Sequence, residues 1–367
     1  MAIFGVGKNK VQILCQKADG KVYSIVALGE ATLTRTPNAP ACLKLKIRRN
    51  EEGAITPENG EIITLTLDEG HDMFWGYIVD TQKEERNVDI VAYDQLWYWN
   101  RNTYSKNYGS LSASDLYIKM ADDFGFSMVD PPTVVNTEYV IPNIILENAK
   151  PIDIMTDALN ITYEHMGVRY YIYDAFNNLC LSHGNHQETL KVNTLCINHL
   201  NCKSYTYEED IENTYNVIKV HKKDDKDNIS ETVTAEDSVS AQRFGKLEYS
   251  TTAQDGEDLN QIAKELLKEK KELNISLHCS DVIGDPRVFG GSSVFVDFFT
   301  NGLKDRREFI RGWFKVESVT HKISNATHYM DLDLSLLVML DEWDYEGLDP
   351  QVRYDRLGVT PDTQEGQ

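Results

Sequence analysis

The sequence predicts an α+β fold, mostly antiparallel β, in which a small α+β domain separates two β-rich domains. Three observations predict it. Over the first hundred residues apolar side chains alternate with polar ones at a period of two. Between 101 and 198 the period becomes that of helices, and from 199 to 340 the alternation returns around one strongly amphipathic helix. Aromatic residues make up 10% of the chain, with 19 Tyr and 5 Trp, which suits sheet and interface surfaces more than a helical bundle.

The first domain, 1–100, carries short strands. Val11, Ile13 and Cys15 share one phase, and Leu43, Leu45 and Ile47 alternate with Lys44, Lys46 and Arg48. Ile63, Leu65 and Leu67 alternate with Thr64, Thr66 and Asp68. Tyr77 and Val79 precede a polar turn at Lys83–Asn87, after which Ile90, Ala92 and Leu96–Trp97–Tyr98–Trp99 continue the apolar series. Runs of this length, split by Gly, Pro and Asn, read as an antiparallel sandwich or barrel with one wet face.

The second domain, 101–198, opens with Ser112 and Asp115 at capping-box spacing. Leu116, Met120 and Phe124 then stack on one helix face before Gly125. A Pro-containing loop is expected from Pro131 to Pro142. Pro151 starts a second helix, striped by Ile152, Met155, Leu159 and Tyr163 and closed by Gly167. Val168–Tyr173 and Leu179–Leu181 flank Phe176–Asn177–Asn178 as a hairpin.

In the third domain, 199–340, Val217, Lys219 and His221 run into a polar tip at Lys222–Ser230. Asp255–Leu273 is the clearest helix, with Leu259, Ile262, Ala263, Leu266, Leu267 and Leu273 on one face, expected to pack on a barrel of the same chain. Ile275–Cys279, Val294–Phe299, Trp313–Ile323 and Met330–Leu336 read as strands. The tail 341–367 holds 8 acids, 2 arginines, Pro350 and Pro361, and reads as extended.

Length and composition narrow the function. A chain of 367 residues suggests two or three domains, and 41% hydrophobic with 26% charged residues is the balance of a globular protein. No apolar run approaches the roughly 20 residues of a membrane helix, so no membrane insertion is expected. The first residues carry no apolar stretch of the signal-peptide kind. The 58 acids outnumber the 37 bases, for a net charge of -21, and such a chain repels phosphate backbones, so no specific nucleic-acid binding is expected. Six cysteines without a secretory signal point to a reducing compartment.

One constellation could carry chemistry. Cys180, His183 and His186, then Cys196, His199 and Cys202, repeat the two-residue spacing that lets zinc ligands converge. An ion held by four of them would be structural, stapling the second domain to the third. The alternative is small apolar cysteines on strands and histidines in turns, and it is the reading preferred: no metal, cofactor or catalytic residue is assigned. The acidic pairs Asp122–Asp123, Glu208–Glu209–Asp210, Asp224–Asp225, Asp331 and Asp333 read as solvated surface. No nucleophile elbow, phosphate loop or HExxH appears, and Gly290–Gly291–Ser292–Ser293 precedes a strand rather than a helix. No enzyme is expected.

The first and third domains share a pattern. Gly76–Tyr77–Ile78–Val79 opens a hairpin returning at Val88–Gln95, and Gly312–Trp313–Phe314–Lys315–Val316 opens one returning at His328–Leu336. Ile62–Leu67 and Val294–Phe299 precede them. The reading is duplication of one β-fold; the alternative is chance sharing of a common strand pattern.

The third domain also carries Glu212–Asn213–Thr214–Tyr215–Asn216–Val217–Ile218–Lys219–Val220 and Phe244–Gly245–Lys246–Leu247–Glu248–Tyr249. After the helix come Ile283–Gly284–Asp285–Pro286–Arg287–Val288–Phe289–Gly290–Gly291–Ser292–Ser293–Val294, Phe314–His321 and His328–Leu334. In this order the set resembles the baseplate hub proteins of contractile phage tails, especially the defective-prophage and phage-tail-like bacteriocin branch of Gram-positive bacteria. The helix and hairpin within Ile152–Leu179 agree. The resemblance runs from about 75 to 340, and the Cys/His triplets depart from it.

The resemblance implies a virion or tail-particle baseplate protein, assembled in the bacterial cytoplasm, with two β-barrel-like tube domains per chain. As a homotrimer it would present six similar domains and adapt a sixfold tail tube to a threefold spike. Its implied partners are itself, the tail tube or tube-initiator protein, the central spike, baseplate wedge proteins and a LysM-bearing tail protein. The alternative is a tail-associated cell-wall hydrolase or peptidoglycan-binding module, using a carboxylate pair or the Cys/His cluster.

Overall fold

The computed structural model describes residues 10–49, 56–67, 70–126, 134–183, 191–224, 228–253, 258–301 and 307–339. The acidic tail and His186 lie outside the described residues. The fold is α+β and mostly antiparallel.

Alternation makes strands of β1 (Val11–Gln16), β2 (Val22–Ile25), β3 (Ala31–Arg35), β4 (Cys42–Arg48), β5 (Ile62–Leu67), β6 (His71–Lys83) and β7 (Asn87–Tyr93). Ile13, Cys15, Leu33, Leu43, Leu45, Ile47, Ile63, Leu65 and Ile90 all turn into one core, and the intervening Thr and Lys side chains face outward. The sheet curls so that Ala27, just past β2, bridges Ile47 of β4. One bridge takes the place of a ladder there, and no closed barrel forms among the described residues.

Leu96–Trp99 does not continue a strand. Asp94 Oδ1 accepts the Leu96 N–H at 3.0 Å, turning the chain into α1 (Leu96–Arg101), which delivers Leu96 and Trp99 to the core of the middle segment. The segment continues as β8 (Tyr104–Ser112), α2 (Ala113–Phe124), β9 (Val140–Ala149), α3 (Pro151–Met166), β10 (Tyr170–Asp174) and β11 (Leu179–His183). Ser112 caps α2 by accepting from Asp115 N at 3.1 Å, and Gly125 and Gly167 end the two helices in the left-handed conformation. The loop expected up to Pro142 already enters β9 at Val140; Pro142 is tolerated because the β8–β9 ladder shifts register several times.

The last segment holds β12 (Lys191–Ile197), β13 (Ser204–Asp210), β14 (Val217–Lys223), β15 (Ile229–Glu236), α4 (Ser238–Phe244), β16 (Glu248–Thr252), α5 (Leu259–Lys270), β17 (Asn274–Ile283), β18 (Ser293–Asn301), β19 (Arg307–Ile323) and β20 (His328–Met339). β14, β15 and β16 leave the main sheet to form their own three-stranded sheet. The Leu face of α5 packs on this small sheet, with Ile218, Val220, Leu259, Ala263 and Leu266, and not on a barrel. The helix also stops at Lys270, short of Leu273, with Asp258 capping its start.

The other described strands of the two β-rich segments belong to one 13-stranded sheet. Its main path runs β13-β17-β20-β19-β3-β4-β7-β6-β5-β1-β2, with β12 and β18 attached through β19. β3 pairs antiparallel with β19 from Val319↔Arg35 to Ile323↔Ala31, so the first and last segments are hydrogen-bonded to each other.

Candidate functional site

The loop between β17 and β18, one of the runs on which the resemblance rests, is where all three segments meet. Gly284 donates its N–H to the His328 carbonyl at 2.8 Å, and a Cβ on it would stand 2.2 Å from the His328 ring. Asp285 accepts from Arg287 N at 3.0 Å and Nε at 2.9 Å, which folds the turn. Phe289 lies against the Tyr173 ring of β10, centroids 4.8 Å apart. A Cβ on Gly290 would come within 2.7 Å of the Pro37 backbone, so glycine alone lets the first and last segments touch there. One loop thus contacts the β3–β4 turn and the middle hairpin together.

Backbone bonds complete the junction. Asn38, at φ +56°, donates its N–H to the Ile172 carbonyl at 3.2 Å, and its Oδ1 accepts the Ile172 N–H at 2.9 Å. Asp94 Oδ2 accepts from Ala41 N at 2.8 Å, and Asp174 Oδ1 accepts from Asn177 N at 2.7 Å. Arg35 donates to the Met73 carbonyl. Burial lowers the Arg35 guanidinium to about 10, against the attraction of Asp94 and Asp174, and burial raises both carboxyls. The two aspartates spend these hydrogen bonds on turns, and Arg35 spends its own on a carbonyl of β6.

His321 closes the junction from β19. It is fully buried, with Nε2 2.9 Å from the Val288 carbonyl and Nδ1 2.9 Å from His328 Nε2. A carbonyl only accepts, so Nε2 carries the proton and Nδ1 accepts from His328. Burial, then the neighbouring His328 and Arg35, hold its pKa well below the usual histidine range. A lowered histidine pKa means that below about 6.5 the unfolded chain binds a proton the folded chain refuses, so stability falls as pH drops. The expected contribution is up to about 1.4 kcal/mol per pH unit, and His321→Gln should flatten the slope by that amount. Denaturant melts of both proteins at neutral pH and about one unit below 6.5 check it.

The five candidate metal residues that are described, Cys180, His183, Cys196, His199 and Cys202, do not converge. Cys180, on β11, is buried, donates to the Asn178 carbonyl at 3.4 Å, and its thiol is pushed up to about 11 by burial. His183 lies against the Tyr170 ring at 4.9 Å. Cys196 packs with Phe295 and Trp313, and His199 against Phe298 at 5.1 Å. Cys202 turns to Cys279, not Cys196, and donates to the Ser204 carbonyl at 3.2 Å. Among the described residues no three His, Cys, Asp or Glu side chains are grouped to hold an ion.

Asp225 lies outside the described residues, and among those described the acidic pairs are paired or solvated. Asp123 binds Lys106 at 2.6 Å and the Tyr108 hydroxyl at 2.7 Å, and Lys106 first among these holds it down to about 2. Asp331 binds Lys322 at 2.6 Å. Glu208, Glu317 and Asp333 line an open groove of about 310 Å³ on the polar face of β13, β17, β20 and β19, where Asp333 meets His278 at 2.7 Å.

The two β segments share a strand order and one bulge. β5-β6-β7 and β18-β19-β20 are both antiparallel meanders. β6 carries a bulge between Ile78 and Asp80 opposite Ala92 and Val91, and β19 carries one between Val316 and Ser318 opposite Leu334 and Asp333. β7 pairs onward with β4 and β3, and β20 with β17 and β13, in the same sense. Aligned on the bulge, Gly76 matches Phe314, not Gly312. A Cβ on Gly76 would lie 2.3 Å from the Tyr93 carbonyl, whereas the Phe314 ring fills the core.

Residues 32–335 match the family described as YQBQ-like. The phage-like element PBSX protein XkdQ of Bacillus subtilis is 25% identical over 272 residues, 72% of this chain and 78% of that protein. Among solved structures, a tail protein from Neisseria meningitidis superposes with TM-score 0.63 at 13% identity, covering 89% of this chain and 96% of that one. The 43 kDa tail protein of prophage MuSo2 from Shewanella oneidensis does so with TM-score 0.60 at 14% identity, covering 92% and 100%.

Proposed function

The chain belongs to the YQBQ-like family, and from that premise we propose that it is the structural hub of a contractile-tail baseplate, acting as a trimeric ring between a sixfold tube and a threefold spike. The observation that carries this is the pair of matched meanders within one chain, which share a bulge at Ile78/Asp80 and Val316/Ser318. Three chains with two copies each offer six equivalent β units to a sixfold neighbour while keeping threefold symmetry for a spike. The relative XkdQ is named for a phage-like element, and both solved neighbours are named as tail proteins.

The role is architectural. The Asn38–Ile172 hydrogen bonds, the β3–β19 ladder and the Phe289–Tyr173 contact tie the three segments together, while Asp94 and His321 bond backbone groups within their own segments. The polar face of the long sheet, with the Glu208–Glu317–Asp333 groove, lines the channel in this reading. The tube or tube initiator would stack above the ring and the spike below. Wedge proteins and a LysM-bearing tail protein would meet its outer side. Cryo-electron microscopy of the assembled particle tests the proposal: three hub chains with both β segments at the lumen are expected, and six chains, or one β segment at the lumen, overturn it.

A further inference from the structure

The chain displays the two halves of a contact that it also makes internally. β3 adds to the side of β19 that β18 leaves free, over Val319–Ile323. In the matched meander, β5 covers β6 as far as Tyr77, and Gly60 and Glu61 extend that cover to Ile78. Beyond it Thr81–Lys83 pairs only with β7 among the described residues. The strand matching β3 is β13, which ends the sheet and pairs only with β17 among the described residues. One edge lacks its β13 counterpart, and one β13 lacks its edge.

Resting on the hub reading, we infer that β13 of one copy adds antiparallel to β6 of the next, with Lys83 opposite Tyr207, Gln82 opposite Glu208 and Thr81 opposite Glu209. The register is not adjustable. The bulges equate Ile78 with Val316, hence Thr81, Gln82 and Lys83 with Val319, Thr320 and His321. The ladders equate Ala92 with Leu334, then Leu43 with Leu277, then Leu33 with Tyr207. His321 faces Leu33 within the chain, so Lys83 faces Tyr207 between chains, and Thr320 facing Thr34 becomes Gln82 facing Glu208. A one-residue slip would turn every side chain of the added strand to the wrong face.

The occupant is a second copy because the same chain supplies both partners and already shows their joint between its own halves. Nothing in this contact is self-complementary, so association runs head to tail, and it closes only if the rotation per copy permits. The paired stretch is shorter than its internal counterpart: the positions matching Lys322 and Ile323 are Glu84 and Glu85, and Glu84 is already in the turn to Asn87. A contact of so few rungs is weak alone and strong when a ring closes it.

The test is disulfide trapping of full-length variants in assembled particles, read on non-reducing gels. Gln82→Cys/Glu208→Cys should move most of the chain into dimer and trimer bands. Gln82→Cys/Tyr207→Cys, one residue out of register, should leave it near the background of the parent. Particles with three hub chains but no in-register trapping would overturn the register and leave the hub standing. In-register trapping that yields open oligomers and no ring of three would support the strand addition and overturn the trimeric hub.

Discussion

Arg311→Met is expected to cost roughly 3–5 kcal/mol of stability. Arg311 and Asp297 stand directly opposite each other on β19 and β18, with side chains 5% and 0% exposed, and Arg311 Nη2 lies 3.0 and 2.9 Å from the two carboxylate oxygens. Removing the cation leaves a carboxylate without its guanidinium where water cannot reach it, and the cost is that desolvation rather than the lost attraction. The double variant Arg311→Met/Asp297→Leu should therefore recover much of the loss, since an apolar pair of similar size fits beside Phe295 and Trp313. Guanidinium melts of the three proteins decide it. A single-variant loss below about 1 kcal/mol, or a double variant no better than the single, contradicts the account.

Leu266→Ala is expected to cost roughly 2–5 kcal/mol, and to act locally. Leu266 is 6% exposed and shares a core with Ile218, Val220, Leu259 and Ala263 that is separate from the main sheet. Hydrogen exchange should rise along β14, β15 and β16 while the β19–β20 amides keep their protection. Equal loosening of both sheets would show that they unfold as one unit. No loss in denaturant melts would show that the face is not buried in solution.

Local features were legible where a few neighbouring residues decide them. Ser112 with Asp115, Pro151, Gly125 and Gly167 mark helix ends because capping is settled within one turn of chain. The hairpin about Phe176–Asn177 was legible for the same reason, since both residues take the positive φ that such a turn needs. Leu96–Trp99 was misread because four bulky residues fit either period, and Asp94, which turns them into a helix, differs from any surface aspartate only in what surrounds it. The Cys/His triplets had a spacing that ligands could use, though apolar cysteines were the preferred reading, because spacing says nothing about strand direction: Cys180 lies on β11 opposite Tyr173, whereas Cys196 packs with Phe295 and Trp313.

By itself the sequence determined that this is an α+β protein with two β-rich segments of matching strand pattern around a helical insert, because hydrophobic period and turn chemistry are short-range signals. Only the tertiary structure decided that β3 pairs with β19, that the matching pattern is offset by two residues from the glycine pair, and that α5 covers a small sheet of its own. It also decided the junction, where Asn38 meets Ile172 across 134 positions of chain. Such contacts are set by which faces and edges remain unpaired after local structure forms, and a backbone hydrogen-bonding edge has no side-chain signature to read.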